Sequence, residues 1–265
     1  MHFGIHEHIL PGDSLEAKFT YAKALGFAGV ELQFTENFDQ RMAEIATAVE
    51  ATGMQISTIS VGMTRLLHPD MAERQRALSL MQQAIGCSID MMAAGVVFYP
   101  FYQSGPTLPD LTPYKSSQEL EFELLSALLR TSLVDLADAL GTTLYVALAN
   151  RSETHLLRKI THGTMLRESY RNHPRLKIAA HLYHMQIEGE SPEDLHEHPE
   201  TIGHLYLSTE NGSLPISPSA EIEALARVLN GIQYDGWIIL DTVPRTPQSI
   251  EALEKSIELV RTLLF

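Results

Sequence analysis

Eight times along the chain a short apolar, β-branched run is followed by a longer polar and apolar stretch, and this alternation is the signature of parallel βα units. The runs are Phe3 to His6, Gly29 to Gln33, Gln55 to Ser60, Gly95 to Tyr99, Thr143 to Leu148, Leu176 to His181, Ile202 to Ser208 and Gly236 to Asp241. Between and after them lie segments with apolar residues three and four apart, at Ser14 to Leu25, Arg41 to Thr52, Ala72 to Ala93, Gln118 to Leu140, Glu153 to Tyr170, Ala220 to Leu229 and Gln248 to Leu264. Leu25-Gly26, Ala94-Gly95, Leu140-Gly141 and Asp235-Gly236 put glycine where a helix must end and a strand begin. Eight units in 265 residues match a closed (β/α)₈ barrel, and the GxGxxG turn expected of an open nucleotide-binding sheet is missing. No Pro, Ser or Gly linker divides the chain, so one barrel domain over residues 1–265 is expected. Gln103 to Ser117 reads as a single long loop, which could be a lid, pack on a partner subunit or lie solvated on the surface.

Charge and cysteine content narrow the partners. Thirty-three acidic against 19 basic residues give a net charge of -14, a sign that repels phosphodiester backbone, so no nucleic-acid partner is expected. A zinc-cluster abasic-site endonuclease, which needs a basic DNA-binding face, is disfavoured for the same reason. No apolar run nears the roughly 20 residues of a membrane helix, and MHFGIHEHIL lacks a basic leader, so no membrane partner and a cytoplasmic location are expected. The single cysteine, Cys87, can make neither an internal disulfide nor a thiolate cage, and it reads as a small buried side chain. The methionines, Met91 and Met92 included, read as core filler. GxSxG, P-loop and HExxH signatures are all absent.

In such a barrel the chemistry sits at the C-terminal ends of the strands. Those ends carry His6, Glu7 and His8; Glu31 and Gln33; Asn150, Arg151 and Glu153; His181, Tyr183 and His184; His204, Tyr206 and Glu210; and Asp241 with Arg245. Polar side chains are costly there unless paired, so their convergence points to a site for a polar small molecule.

ALGFAGVELQ (24–33), ALANRSETHLL (147–157) and IAAHLYHMQIE (178–188), followed by IGHLYLSTENGSLP and YDGWIILDTVPR, resemble the sugar isomerase/epimerase group of the xylose-isomerase-like TIM barrels, which contains the ketose 3-epimerases. The resemblance covers most of the chain in order. It implies a barrel whose mouth binds a small sugar and a divalent cation, with proton transfer next to a carbonyl. It also implies four cation ligands, Glu, Asp, His and Glu, but these positions fall on Ala147, His181, Tyr206 and Asp241 here, and a single carboxylate is a poor set for Mn²⁺ or Mg²⁺. No metal ligands are therefore assigned and no cofactor is expected, with a divalent cation, Mn²⁺ or Zn²⁺, left open and Zn²⁺ on His181, Asp241 and His184 or His204 as the arrangement it would take. Glu153 and His184 match positions that hydrogen-bond the sugar, and Arg245 matches the arginine after the last acidic ligand. The expected catalytic residues are Glu153, His184 and Asp241, and the expected substrate-binding residues are His6, His181, Tyr206 and Arg245. The partner is a sugar-like small molecule, either a polyol, a keto-sugar or a sugar acid, and the family's habit of pairing leaves a homodimer open. The alternative is a relative that keeps the fold for ligand binding or assembly without turnover.

Overall fold

A computed structural model of the chain describes residues 1–264. The eight apolar runs form β1 (His2–His6), β2 (Gly29–Gln33), β3 (Gln55–Met63), β4 (Gly95–Tyr99), β5 (Thr143–Ala147), β6 (Leu176–His181), β7 (Ile202–Leu207) and β8 (Trp237–Leu240). Each pairs in parallel with the next, and β8 returns to β1 to close the barrel. The expected fold class, a (β/α)₈ barrel, is therefore the observed one. The surrounding helices are α1 (Leu15–Leu25), α2 (Phe38–Thr52), α3 (Met71–Asp90), α4 (Ser117–Leu128), α5 (Asp135–Leu140), α6 (Ile160–Glu168), α7 (Leu182–Ile187), α8 (Ala220–Gly231) and α9 (Ile250–Leu264). None of them is long and apolar enough to cross a membrane.

Two differences from the sequence reading have local causes. The helix expected from Glu153 begins only at Ile160. Short polar side chains claim the backbone before it: the Asn150 side chain accepts the Ser152 N–H at 2.9 Å and the Thr154 hydroxyl accepts the Leu156 N–H at 3.1 Å, both in competition with a helical ladder. The buried Leu156 and Leu157 supplied the misleading apolar spacing. The stretch Gln118 to Leu140 is helical throughout but carries one wide π turn, Leu129–Val134, between α4 and α5.

The core has two parts. One lies between barrel and helices, and the other fills the barrel itself with Val97, Tyr99, Tyr145, Ala147, Ala179, Tyr206, Trp237 and Ile239. Trp237 and Tyr145 plug the N-terminal half because the neighbouring strands present glycine: a Cβ on Gly29 would stand 2.7 Å from the Trp237 ring, and one on Gly95 or Gly203 2.7 Å from the Tyr145 ring. Deleting such a plug leaves a cavity that a closed sheet cannot collapse into. Trp237→Ala is expected to cost about 3–5 kcal/mol in chemical denaturation; a loss below ~1 kcal/mol would show that the floor repacks.

Cys87 is buried, as expected. The methionines are not all core filler: Met63, Met71, Met92 and Met165 are exposed. Met92 points outward because it occupies the left-handed turn, φ 53°, that follows α3.

The loop after β4 is anchored at its base. Buried Glu121 of α4 accepts the Thr107 N–H at 2.5 Å, the Thr107 hydroxyl at 2.6 Å and the Leu108 N–H at 3.1 Å, and it also binds His155 Nε2. The other nitrogen of His155 meets the Ser104 carbonyl at 3.2 Å. These contacts tie the loop to the segment after β5 that carries Asn150 and Glu153, while residues 109–114 stay exposed.

Candidate active site

At the C-terminal end of the barrel a cavity of about 250 Å³ is lined by Glu153, His181, His184, Asp241 and Arg245, together with Tyr99, Gly62, Met63 and Thr242 to Pro244. Of the residues expected from six separate stretches of sequence, five line this cavity. Tyr99, Gly62 and Met63 were not anticipated, although Tyr99 ends β4 just as His181 ends β6, and inspection of every strand end would have included it. Two expected substrate contacts, His6 and Tyr206, do not line the cavity; both are fully buried beneath it. Arg151 turns away to bind Glu188 at 2.9 Å, and Glu7 is held by Arg41 at 2.6 Å.

The layer beneath is organised around Glu31 of β2. Its carboxylate accepts the Tyr206 hydroxyl at 2.8 Å and the Thr58 hydroxyl at 2.6 Å, and His204 Nε2 approaches to 3.3 Å without hydrogen-bond alignment. Burial alone would push the Glu31 carboxyl up, but His204, Arg245 and the Thr58 hydroxyl outweigh it and hold the group below its usual range. Tyr206 thereby has its hydroxyl proton committed downward, and burial with Glu31 alongside pushes its phenol well above the usual range.

Above that layer Arg245 grips Asp241. Its Nε lies 3.0 Å from both carboxylate oxygens and an Nη 2.9 Å from Oδ2, while the guanidinium sits 5.5 Å over the Tyr206 ring and its second Nη reaches Gln33 Oε1 at 3.4 Å. Burial works against the charge on Arg245, but Asp241 and Tyr206 more than compensate and keep the guanidinium firmly protonated.

The histidines have defined tautomers. His181 caps α7, its Nδ1 accepting the Tyr183 N–H at 3.3 Å. The Nδ1 of His184 lies 2.9 Å from the Asn150 amide nitrogen, and the orientation of that amide follows from its oxygen accepting the Ser152 N–H. His6 Nδ1 accepts the His8 N–H at 3.1 Å. Each Nδ1 is thus an acceptor, so each neutral ring carries its proton on Nε2. The rings at the cavity are neutral: burial, then Arg245 and His204, bring His181 down to about 3, and burial, then His181, bring His184 down to about 2. Glu153 is the contrasting group. It is partly exposed, receives the Asn150 amide at 3.3 Å, and has its carboxyl pushed up by burial.

The divalent cation implied by the sequence resemblance does not fit these residues. A metal ligand must present a lone pair, and the Nε2 atoms of His181 and His184 carry protons instead. Asp241 gives both oxygens to Arg245, Tyr206 spends its proton on Glu31, and Ala147 has no ligand atom. Among the described residues no group of three or more His, Cys, Asp or Glu side chains is disposed to hold an ion.

The family model described as xylose isomerase-like TIM barrel matches residues 19–263. The 3-dehydro-D-guloside 4-epimerase of Escherichia coli (strain K12) is 24% identical over 262 residues, covering 97% of this chain and 97% of that protein. Among solved structures, the apo form of 3-keto-D-glucoside 4-epimerase from E. coli superposes with a TM-score of 0.84 at 21% identity, covering 99% of both chains. The D-allulose 3-epimerase of Methylomonas sp. in complex with D-allulose superposes with a TM-score of 0.83 at 15% identity, covering 99% of this chain and 97% of that one. At these identities the likeness of the solved structures is one of fold.

Proposed function

Because the chain belongs to the xylose isomerase-like TIM barrel family, we propose that it is a sugar isomerase/epimerase-like protein that binds a small polyol, keto-sugar or sugar acid in the cavity at the C-terminal mouth of its barrel. The relatives named above are sugar epimerases by name, which supports a carbohydrate ligand. The observation that carries the reading is Glu153: among the acidic groups lining the cavity it alone has no cationic partner, and its carboxyl is raised toward neutrality. That is the condition a general base for proton abstraction beside a carbonyl needs.

The other residues take supporting roles. His184, held by Asn150, offers an N–H to a sugar hydroxyl, and Arg245 offers its outer edge to an oxygen of the ligand. Of the three acid/base candidates we assign proton transfer to Glu153 and hydroxyl orientation to His184. Asp241 acts through the arginine it holds. Both oxygens of that carboxylate are taken up by the guanidinium at 2.9–3.0 Å, which leaves neither free to meet a substrate proton. One free base supports proton removal and return on one face of the substrate. Epimerisation through two opposed carboxylates, by contrast, lacks its second partner at Ala147.

The test is proton exchange. Keto-sugars incubated with the protein in D₂O should lose the proton next to the carbonyl in NMR spectra. Binding shifts without any exchange across a broad sugar panel would favour the non-catalytic alternative, which the absence of the implied ligand set also supports.

A further inference from the structure

We propose that the Nε2–H of His181 is the electrophile of this site, donating to the substrate oxygen that turns negative as Glu153 removes the neighbouring proton. In this way a neutral imidazole does the work that a divalent cation would otherwise do. The inference rests on the proton-transfer reading of the cavity given above.

Four observations carry it. First, the tautomer is set from behind, because the backbone N–H of Tyr183 occupies Nδ1 and leaves the proton on Nε2. Second, that Nε2 is fully buried and has no hydrogen-bond partner among the described residues, although the ring lines the cavity. A buried donor left unsatisfied costs about 1–3 kcal/mol, which a ligand oxygen would relieve. Third, the nearest carboxylate oxygen, Asp241 Oδ2 at 3.8 Å, is beyond hydrogen-bond reach and already bound by Arg245. Fourth, the ring is fixed. It stacks on Tyr206 with centroids 5.3 Å apart and packs edge-on to His184 at 4.8 Å, so the donor is in place before charge develops. Ring neutrality adds to the argument, since a neutral imidazole donor matches an enediolate without trapping it by full proton transfer.

The step balances without a co-reactant. A Glu153 oxygen takes the proton, the C–H pair becomes the carbon–carbon double bond, and the carbonyl π pair moves onto oxygen. That oxygen accepts the hydrogen bond from His181, which keeps its own proton. The Glu153 carboxyl, open to solvent at its exposed edge, exchanges that proton with water and returns one from solvent to carbon, and nothing is oxidised or reduced.

The experiment uses chelator-treated protein, confirmed free of metal by elemental mass spectrometry, with D-fructose, D-tagatose and D-allulose as probes in D₂O. Wild type should exchange without added metal. His181→Leu should lower kcat at least 100-fold with KM changed less than about threefold, and His181→Gln, which keeps an N–H donor, should recover at least tenfold of that loss. Thermal melts show that both variants are folded. Exchange that requires Mn²⁺, a loss confined to KM, or a glutamine variant no better than leucine would each overturn the proposal. A second readout separates this inference from the functional reading. If wild type exchanges none of the probes, the proton-transfer reading fails, while ¹⁵N shifts of the His181 ring still report the tautomer. A proton on Nδ1, or a ring shifted by stoichiometric Zn²⁺, would overturn the assignment of His181 on its own.

Discussion

Glutamine at position 153 should reduce proton exchange by about 10²- to 10⁴-fold while leaving the protein as stable as wild type or slightly more so. The two effects have one cause. Burial raises the Glu153 carboxyl above its ordinary range, so its ionised form is less favourable folded than unfolded. A group with a raised folded pKa favours folding in its protonated form, and that advantage is lost as pH rises through the folded value. Above that point the charge is a burden on the fold, and Glu153→Gln removes it. Activity runs the other way, because abstraction needs the carboxylate. The acid limb of kcat/KM should therefore lie above the ordinary glutamate range of about 4.3 and should vanish, with the activity, in the glutamine variant. Among the described residues Asn150 is the only hydrogen-bonding partner of the Glu153 side chain, and it also sets the His184 tautomer, so Asn150→Ala should disturb both residues at once. Full exchange in Glu153→Gln, or an acid limb at the ordinary glutamate position, would remove Glu153 from the base role.

The barrel was legible because each strand and helix repeats its own period, and a run such as Gly95 to Tyr99 has no second interpretation once seven others surround it. The mouth was legible as a list for the same reason, since strand ends follow from strands. What the list could not rank was commitment. Asp241 and Glu153 are both carboxylates at the mouth, but one is gripped by an arginine four residues along the chain and the other is left free by the Asn150 turn; only the path of the loops separates them. Tyr206 and His6 were expected at the ligand and instead face Glu31, because β2 brings a buried carboxylate from the other side of the barrel, a contact 175 residues away in sequence for Tyr206. His181 could be seen as the replacement of an expected carboxylate, but its protonation pattern depends on its capping of α7, a six-residue helix too short to leave a periodic signal.

Arg245→Met should be the most destabilising single change at the mouth, by about 3–5 kcal/mol, because it strips the buried Asp241 carboxylate of its guanidinium partner. His181 Nε2 also lies near Asp241 Oδ2, at 3.8 Å, but that ring is held neutral by burial. The comparison that isolates the pair is the double variant Arg245→Met with Asp241→Asn. Removing both charges should recover most of the lost stability, since a buried ion pair contributes little net beyond the cost of breaking it. Ligand binding should not recover with it, because the methionine offers no donor to the cavity and the Tyr206 ring loses the cation stacked over it. Chemical denaturation of the four proteins gives the cycle directly. A single-variant loss below ~1 kcal/mol, or a double variant no more stable than Arg245→Met alone, would mean that the guanidinium is not what holds the mouth together.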